Sequence, residues 1–389
     1  MKLLIIFFGN DYHGGTSYST FTIAKELMRR GHDVHAYVNV TPVGSLACDL
    51  RECGVTVHHG RAPIITHPLH ERRPIYKVAR FVMEQVRRYY AGPRSERAVE
   101  GIIRSYGIDL IVISSGAIVT GARASHNTGT PLVWHIREFM KEDHGLDYYP
   151  WAHAHEYMKE ASCLVCVSRA IESKMQHICP DVRTEVVYNG IDQDIFHPNG
   201  REVRPDGAPV RLMFSGGIKR SKGTFLVVDA LAQLGSDISF TLDIFGDEGG
   251  GVGESAKELR SHCRNLGLLD VVCYHGLVTN IADEYRRHDI QIVASRCEAF
   301  GRVTAEAMLC GCAVVGSNSG GTPELISDGR GYLFESNDTE SLARALTKAV
   351  SNSSERTACV ERALSYACEN FSVNTYVDAV ETIYRSVST

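Results

Sequence analysis

A regular alternation of short apolar runs and amphipathic segments constrains the fold more than any other feature of the chain. Residues 2–9 form an almost unbroken apolar run, which is typical of a parallel strand covered on both faces. A glycine-bearing loop follows, and then the segment FTIAKELMRRG, with apolar residues at helical spacing and Gly31 at its end. Because such strand, loop and helix units recur, the sequence predicts a doubly wound α/β fold.

The length of 389 residues exceeds one typical core, so we expect two domains. Residues 191–209 carry glycine, proline and asparagine without sustained periodicity, and a second series of strands and helices begins directly after them. The sequence therefore predicts a first Rossmann-like domain over 1–190, a linker over 191–209, a second Rossmann-like domain over 210–370 and a closing helix over 371–389. Substrates would bind in a cleft between the two halves.

Composition limits the classes of partner. The formal net charge of −5 gives no global attraction to nucleic acid, and we expect no nucleic-acid partner. The first apolar run is too short for a secretion signal, and no run approaches the ~20 apolar residues that span a bilayer. The twelve cysteines are scattered through apolar segments, which favours reduced thiols in the cytoplasm. Cys163 and Cys166 form a CxxC without a second pair at finger spacing, so we expect no metal site.

Two carboxylates frame a predicted helix start within residues 295–324. The segment DIQIVAS predicts a buried strand, Gly301 permits a tight turn, and TAEAMLCG supplies good helix formers. Glu298 therefore precedes the helix and Glu306 lies on it. Unpaired N–H groups at a helix start attract a diphosphate, which would leave one carboxylate toward each sugar of a nucleotide sugar. The alternative is a solvated Glu298 and a Glu306 in an ordinary salt bridge.

Polar or glycine residues follow two strands of the first half. Gly14 and Gly15 come after the first strand, where they would let the backbone approach a ligand at the binding edge of the sheet. A glycine pair is also an ordinary turn, and neither GxGxxG nor GxxxxGK[ST] is present. His135 and Arg137 fall at the end of the PLVWHI strand, where polar groups meet ligands. The alternative for His135 is a hydrogen-bonded structural histidine.

The first strand of the second half is followed by GGIKRSKGT, a glycine-rich turn with three cations. Lysine contacts with phosphate are charge-assisted and contribute about 1.5–3 kcal/mol each. Such a turn either holds a diphosphate or is a solvated basic loop. A cationic turn and an acidic helix start in the same half favour the first alternative.

Residues 71–97 have a different composition, with eight Arg or Lys against three Glu. Five apolar residues recur there at helical spacing: Val78, Phe81, Val82, Val86 and Tyr89. The pattern predicts a basic amphipathic helix. It either packs on the core with a charged solvent face or lies on anionic lipid, and the second alternative gives a peripheral membrane contact through residues 72–97.

Together these motifs resemble those of retaining glycosyltransferases of family 4, the glycogen-synthase-like group. The resemblance spans essentially the whole chain and rests on EAFGRVTAE at 298–306, SGGIKRSKG, YNGID at the hinge and the N-terminal HGG. It implies an α/β fold of the GT-B type, with two Rossmann-like domains facing across a cleft and a C-terminal helix returning to the first. It also implies a nucleoside-diphosphate sugar as donor, a UDP-sugar being favoured, and neither a metal nor another cofactor.

The resemblance further implies the roles of single residues. Glu298 would contact hydroxyls of the transferred sugar, Glu306 the ribose and Lys222 the diphosphate. His135 would lie near the transferred sugar and form the catalytic set with Glu298 and Lys222. The other residues expected around the donor are Gly14, Gly15, Gly217, Lys219, Arg220, Phe300, Gly301, Arg302 and Val303.

The chain departs from the family pattern at one position, since many members carry an arginine where this chain has Gly217. Lys219 or Arg220 would supply the missing charge, and we favour Arg220. No protein nucleophile is evident, so catalysis would rest on positioning and on stabilising the departing diphosphate. His13 occupies a region where inverting relatives keep a base, and inversion therefore stays open as an alternative.

The sequence thus predicts a transferase that moves a sugar to a hydroxyl of a glycan or lipid-linked acceptor, in envelope polysaccharide or glycoconjugate synthesis. We expect it in the cytoplasm, with a peripheral contact on the inner face of the membrane as an option. Two alternatives are a UDP-sugar epimerase of the same fold and a non-catalytic partner of an active transferase. The intact Glu298, Glu306 and Lys222 argue against the second. No pattern identifies the sugar, the base, the acceptor or the linkage.

Overall fold

Each half of the chain builds one parallel sheet, as the alternating pattern predicts. The structure is a computed structural model that describes residues 1–9, 11, 15–39, 45–69, 74–202, 205, 207–249 and 254–388. The chain divides into two units: the first comprises Met1–Gly190 with Val373–Thr389, and the second comprises Ile191–Ser372.

The first unit is built on seven parallel strands and one short antiparallel pair. Its strands are β1 (Lys2–Ile6), β2 (Asp33–Asn39), β3 (Thr56–Gly60), β4 (Thr66–Pro68), β5 (Leu110–Ile113), β6 (Leu132–Ile136), β7 (Leu146–Tyr148), β8 (Cys163–Cys166) and β9 (Thr184–Val186). Its helices up to the boundary are α1 (Gly15–Arg29), α2 (Ser45–Glu52), α3 (Pro74–Val86), α4 (Gly92–Tyr106), α5 (Ala122–Thr128), α6 (Lys141–His144), α7 (Ala154–Lys159) and α8 (Arg169–Ile178). The parallel sheet has the order β3-β2-β1-β5-β6-β8-β9, and β4 pairs with β7.

The strand order of this sheet reverses between β1 and β5. The chain proceeds outward from β1 through β2 to β3, and then returns to the other side of β1 with β5 and β6. Leu3 and Ile5 are fully buried, as are the alternating residues Leu4 and Ile6, because both faces of β1 are covered. In open α/β sheets, ligands bind beyond the carboxyl ends of the strands at such a reversal.

The second unit repeats the design with six parallel strands. They are β10 (Val210–Phe214), β11 (Phe240–Phe245), β12 (Val272–Gly276), β13 (Ile290–Val293), β14 (Ala313–Ser317) and β15 (Tyr332–Phe334). Its helices are α9 (Thr224–Leu231), α10 (Ala256–Asn265), α11 (Ile281–Arg287), α12 (Arg302–Leu309), α13 (Thr322–Ile326), α14 (Thr339–Ser351) and α15 (Ser353–Asn370). The order is β12-β11-β10-β13-β14-β15, so the reversal falls between β10 and β13.

The segment 191–209, which the sequence predicts to be a linker, belongs to the second unit. Arg201 anchors it, since its guanidinium donates hydrogen bonds to the carbonyl oxygens of Tyr285 (3.3 Å), His288 (2.9 Å) and Cys310 (3.1 Å). One arginine that satisfies three carbonyl groups fixes a stretch without regular structure. The segment therefore has no regular secondary structure, but Arg201 still attaches it to the second unit.

The last helix, α16 (Val373–Val387), packs in the first unit, as the resemblance implies. Five of its side chains lie in the hydrophobic core of that unit: Tyr376, Val377, Val380, Ile383 and Tyr384. Arg30, the residue directly after α1, forms ion pairs with Glu381 (2.8 Å) and Asp378 (2.6 Å) of α16. The returning helix is thus held by apolar burial and by charge.

The predicted basic helix over 71–97 is present from Pro74 onward, and its first three residues lie outside the described residues. It consists of α3, a π-helical turn at Arg87–Ala91 and α4. Its apolar residues are exposed, with Val78 65% and Phe81 61% accessible. Within the described part of the chain, no helix is long and apolar enough to cross a membrane. The twelve cysteines all lie in the described part of the chain, and none of them forms a disulfide bond.

Candidate functional site

The strongest candidate site lies where β10 and β13 end, at the strand reversal of the second unit. The cationic turn follows β10 and the acidic loop follows β13. Gly223, with φ +84°, brings the turn against that loop, because a Cβ there would lie 2.2 Å from the carbonyl oxygen of Ala294. The N–H of Arg296 donates a hydrogen bond of 3.3 Å to the carbonyl of Ser221. The two predicted segments are therefore in direct contact.

Lys222 and Glu298 form an ion pair at this junction. The Lys222 Nζ lies 2.7 Å from Glu298 Oε1, and Ser295 Oγ donates to the same oxygen at 2.5 Å. The Glu298 side chain is 18% exposed and that of Lys222 38%. Both groups are partly exposed, so a ligand can reach them from the solvent. Glu298 is mostly buried and ion-paired, so the alternative of a solvated surface carboxylate does not fit its surroundings.

Two glycines that received no role in the sequence analysis shape the backbone around Glu298. The N–H of Gly321 donates a hydrogen bond of 2.8 Å to the Glu298 carbonyl. A Cβ at Gly320 would lie 2.2 Å from the same oxygen, and a Cβ at Gly321 would lie 2.5 Å from the Ala299 carbonyl. Only glycine fits at both positions. The glycine pair in NSGG, directly after β14, is the sequence feature that could have predicted this close approach.

The helix start predicted at Gly301 is present. Gly301 has φ +86° and caps α12, whose first turn carries Val303 and Thr304. Helix geometry leaves the N–H groups of a first turn without intrahelical acceptors and gives this end a partial positive charge. The Thr304 hydroxyl is buried and has no hydrogen-bond partner in the structure. Phe300 packs at right angles on Phe371, with ring centroids 5.5 Å apart. The start of α12 thus offers backbone N–H donors to an anion.

Glu306 lies on α12 and is 8% exposed. Arg302 NH2 lies 3.2 Å from its Oε1, one helical turn earlier. Burial raises the pKa of the Glu306 carboxyl, and the charge of Arg302 opposes that effect. Glu306 therefore does form the salt bridge of the structural alternative. However, its carboxyl group is buried at the ligand-binding end of the sheet and is not a surface charge.

The structure explains why glycine replaces the family's arginine at position 217. Its φ is +67°, and a Cβ at this position would lie 2.3 Å from the carbonyl oxygen of Asp247. An arginine side chain cannot be accommodated on this backbone. Of the two replacements, Lys219 forms an ion pair with Asp247 Oδ1 at 2.8 Å, while the Arg220 guanidinium lies 4.7 Å over the ring of Phe225. Neither is joined to Glu298 as Lys222 is.

The structure places His135 away from any accessible surface. It is 1% exposed, and its Nε2 lies 2.7 Å from the hydroxyl of Tyr384 on α16. Its Nδ1 lies 3.3 Å from Arg137, which also contacts Asn189 (2.6 Å) and Tyr376 (2.8 Å). Burial and the charge of Arg137 hold the pKa of His135 well below its ordinary value. The geometry supports the structural alternative, so we do not retain the catalytic role for His135.

Of the predicted glycine pair, Gly15 is exposed and forms the first residue of α1. Gly14 and His13 lie outside the described residues. The donor role of Gly15 and the inverting alternative on His13 therefore stay predictions.

Glu138 is a candidate residue that the sequence analysis missed. It follows β6, and its Oε1 accepts hydrogen bonds from Thr16 (2.9 Å) and Ser115 (3.1 Å), which flank the reversal between β1 and β5. Its Oε2 accepts from the N–H of Gly116 at 3.3 Å. Burial raises the pKa of this carboxyl, and the Thr16 hydrogen bond opposes that effect. Its position in the sequence could have indicated this role, because a carboxylate directly after Arg137 lies at the same binding edge of the sheet as His135 and Arg137.

Two family models match the chain. The model for Glycosyltransferase Family 4 matches residues 13–195, and the model for Glycosyl transferases group 1 matches residues 200–365. The first match coincides with most of the first unit, and the second contains the turn and helix start described above.

Curated relatives and solved structures give a consistent picture. The chain is 28% identical over 365 residues to a D-inositol 3-phosphate glycosyltransferase of Paenarthrobacter aurescens, which covers 86% of this chain and 83% of the relative. It is 26% identical to the N-acetyl-alpha-D-glucosaminyl L-malate synthase of Bacillus anthracis and 29% identical to the lipopolysaccharide core mannosyltransferase LpcC of Rhizobium leguminosarum. These matches cover 59% and 53% of this chain, and only 61% of the length of each relative.

Among solved structures, Anabaena Alr3699/HepE in complex with UDP and glucose superimposes with a TM-score of 0.76 at 23% identity. That match covers 99% of this chain and 100% of the other. A glycosyltransferase of Rickettsia africae gives a TM-score of 0.79 at 19% identity, over 99% of this chain and 98% of the other. At these identities the likeness concerns the fold, and it agrees with the predicted GT-B class.

Proposed function

Because this chain belongs to the glycosyltransferases that join a Family 4 domain to a group 1 domain, we propose that it transfers a sugar from a nucleoside-diphosphate sugar to a hydroxyl group. The observation that carries the proposal is the Lys222 to Glu298 ion pair of 2.7 Å, beside the start of α12. It joins a cation for the diphosphate, a carboxylate for sugar hydroxyls and a helix N-terminus in one place.

The proposed roles follow from the chemistry of each group. Lys222 and the first turn of α12 stabilise the negative charge that develops on the departing diphosphate. Glu298 accepts hydrogen bonds from hydroxyls of the transferred sugar, and the buried Glu306 accepts them from the ribose. Arg220 or Lys219 adds a second cation, and Arg220 is favoured because its stacking on Phe225 leaves its N–H edge available. In this assignment no metal is needed to balance the diphosphate.

We propose retention of the anomeric configuration. The carboxylates of the site are assigned to binding, so the transfer proceeds without a covalent glycosyl-enzyme intermediate. The bond from the anomeric carbon to the diphosphate oxygen breaks while the acceptor oxygen bonds on the same face. The departing phosphate oxygen takes the proton of the acceptor hydroxyl. Catalysis then depends on orientation and on charge stabilisation.

For the donor we favour a UDP-sugar, and for the acceptor a glycan or lipid-linked hydroxyl. Support comes from what the similar proteins are named for: UDP and glucose bound to Anabaena HepE, and lipopolysaccharide core synthesis by LpcC of Rhizobium leguminosarum. A role in envelope polysaccharide or glycoconjugate synthesis is the corresponding proposal.

We also propose a peripheral contact of α3 with anionic lipid. Val78, Phe81 and Val82 expose most of their apolar surface on this helix, and Arg94 lies exposed beyond the π-helical turn, 5.7 Å over the ring of Tyr90. Apolar side chains next to arginines suit an interface with negatively charged headgroups. An acceptor on a lipid carrier would then be presented at the same surface.

The test of the function begins with thermal unfolding in the presence of UDP-, GDP- and ADP-sugars. We expect one nucleotide class to raise the melting temperature of the wild type and not that of Lys222→Ala. A suitable control is Lys348→Ala, because Lys348 forms an ion pair of equal type with Glu355 at 2.8 Å outside the site. The stabilising donor is then incubated with lipid-linked and glycan acceptors, and the product is examined by NMR for its anomeric configuration.

The outcomes separate the alternatives. A glycosylated product with retained configuration supports the proposal, whereas an inverted product contradicts the retaining mechanism. Epimerised donor in the absence of any acceptor would identify an epimerase. If no nucleotide sugar stabilises the wild type, the proposal fails.

The lipid contact is tested by flotation with phosphatidylglycerol vesicles and with phosphatidylcholine vesicles at low salt. The wild type is expected to float only with the anionic vesicles. The double variant Phe81→Ser, Val82→Ser is expected to remain in the bottom fraction with both kinds of vesicle. Leu277→Ser is the matched control, because Leu277 is an apolar residue of the second unit that is 79% exposed. Equal flotation of the double variant and the wild type would refute the contact through α3.

A further inference from the structure

A second group of chemically active side chains lies on β11 and β12, away from the strand reversal of the second unit. The ligand atoms of Asp243, Cys273 and His275 all lie within 4.8 Å of one another, and among the described residues they form the only group of this kind. In the parallel pairing, Asp243 stands opposite Cys273. Because side chains alternate along a strand, Cys273 and His275 point to the same face of the sheet as Asp243.

A buried histidine makes the carboxylate of this group unusual. His288 is 3% exposed, its Nδ1 lies 2.6 Å from the carbonyl oxygen of Glu284, and its Nε2 lies 3.0 Å from Asp243 Oδ2. Both ring nitrogens of His288 thus face an oxygen atom. The other oxygen of Asp243 lies 2.5 Å from His275 Nε2. One carboxylate is thus held between two imidazole rings.

Phe245 fixes both rings in place. It stacks on His275 with centroids 4.9 Å apart and an interplanar angle of 16°, and it meets the ring of His288 edge-on at 5.7 Å. Asp243 is half-buried, while Cys273 and His275 are exposed at the side of the cluster that faces solvent. The donor atoms are therefore ordered by the protein and still accessible to an ion.

We propose that Asp243, Cys273 and His275 form a binding site for a zinc ion. Thiolate sulfur, imidazole nitrogen and carboxylate oxygen are the three donor types that zinc takes in proteins, and this mixture does not suit calcium or magnesium. The ion would take the place of the hydrogen bond between His275 and Asp243. His288 would hold the second oxygen of Asp243 and so orient that ligand from behind.

The position of the site indicates a structural role. β12 is the edge strand of the six-stranded sheet and pairs only with β11. An ion held by one residue of β11 and two of β12 joins these strands through side chains. Two strands, β11 and β10, separate β12 from the β10 to β13 reversal, so zinc is expected to change the stability of the second unit and not the binding of a nucleotide sugar.

The experiment uses the full chain after dialysis against a chelator. Calorimetric titration with zinc is expected to give one ion per chain, and titration with cobalt is expected to give a thiolate-to-cobalt charge-transfer band. Zinc should also raise the melting temperature. In Cys273→Ser and His275→Ala we expect the affinity to fall by more than about 100-fold, and in His288→Ala by about 10- to 100-fold.

Cys368→Ser is the matched control, because Cys368 is also an exposed free cysteine of the second unit. It should bind zinc and cobalt like the wild type. If the wild type shows neither stoichiometric zinc binding nor a cobalt band, or if Cys273→Ser binds as tightly as Cys368→Ser, the site does not exist. Because the cobalt band is read on the wild type, poor folding of a variant cannot hide a negative result. Nucleotide-sugar binding is measured separately and does not bear on this outcome.

Discussion

The ammonium group of Lys222 lies 2.7 Å from Glu298 Oε1, although 75 residues separate the two in the chain. The cation of one loop and the carboxylate of the other thus meet at the reversal of the second sheet. Their pairing is possible because Gly223 allows the turn to approach the end of β13. Each group compensates the charge of the other at a point that remains accessible to solvent.

Charge reversal by Lys222→Glu should abolish turnover and leave the fold intact. In the milder variant Lys222→Ala we expect kcat/KM to fall by about 10- to 100-fold, since one charge-assisted contact contributes about 1.5–3 kcal/mol. Steady-state kinetics with the stabilising donor and a melting curve of each variant measure both effects. Wild-type activity in Lys222→Glu would refute the role of this residue.

Glu306→Gln should weaken the binding of UDP by about 10-fold, because a neutral amide accepts hydrogen bonds from the ribose less strongly than a carboxylate. The same substitution should weaken the binding of 2′-deoxy-UDP much less, because this analogue lacks the 2′-hydroxyl that Glu306 would contact. Isothermal titration of both nucleotides against wild type and variant gives the comparison. An equal loss for the two would mean that Glu306 does not contact the ribose 2′-hydroxyl.

Gly217→Ala should destabilise the second unit more than Gly267→Ala. Both glycines have a positive φ, +67° and +71°, but only at Gly217 would a Cβ meet backbone, 2.3 Å from the Asp247 carbonyl. The left-handed conformation alone costs about 1–2 kcal/mol, and the clash adds about 1–3 kcal/mol. Urea denaturation of the two variants measures the difference. Equal stabilities would show that the backbone at Gly217 can relax to accept a side chain.

The stability of the first unit should fall as the pH rises from 4.5 to 7, through Glu96. This carboxylate accepts hydrogen bonds from the N–H groups of Gly121 (3.1 Å) and Ala124 (2.9 Å), yet burial raises its pKa from 4.5 to about 7. A raised pKa in the folded state stabilises the fold below the unfolded value and loses that contribution as the pH passes through the folded value. The change corresponds to about 3 kcal/mol.

Glu96→Gln, which cannot titrate, should lack this contribution. The difference in unfolding free energy between wild type and variant is measured by denaturation at several pH values from 4.5 to 7.5. We expect the wild type to lose stability relative to Glu96→Gln as the pH rises. Parallel curves for the two proteins would contradict the prediction.

Tyr384→Phe should lower stability by about 1–3 kcal/mol without changing kcat. The substitution leaves the buried Nε2 of His135 without the hydroxyl that lies 2.7 Å away. Denaturation and steady-state kinetics of the variant give the two readouts. A large fall in kcat at unchanged stability would return His135 to the catalytic set.

Much of the fold follows from local pattern, because each strand and helix carries its own periodicity and its own glycine at the end. Glu298, Gly301 and Glu306 could be located for the same reason, since a strand, a turn and a helix within about 30 residues determine where they lie. The anchoring of residues 191–209 by Arg201 could not be predicted. Its acceptors are carbonyl groups of residues 84 to 109 positions away, and carbonyl groups leave no trace in a sequence.

His135 and Glu138 show where local reasoning ended. Both lie at the carboxyl end of β6, and nothing in the segment tells which of them points into the interior. His135 is enclosed by Tyr384, 249 residues away, whereas Glu138 is bound by Thr16 and Ser115 from the two sides of the β1 to β5 reversal. The direction of a side chain at the end of a strand depends on what packs there, and the returning helix α16 packs over His135.

By itself, the sequence determined the order of strands and helices, the division into two Rossmann-like halves and the presence of two carboxylates about a helix start. These features arise from interactions between residues close in the chain. The tertiary structure alone decided that Lys222 is the cation beside Glu298, that Gly217 can carry no side chain and that His135 is buried. Each of these depends on backbone atoms or side chains that come from distant segments, and only the packed sheet brings those segments together.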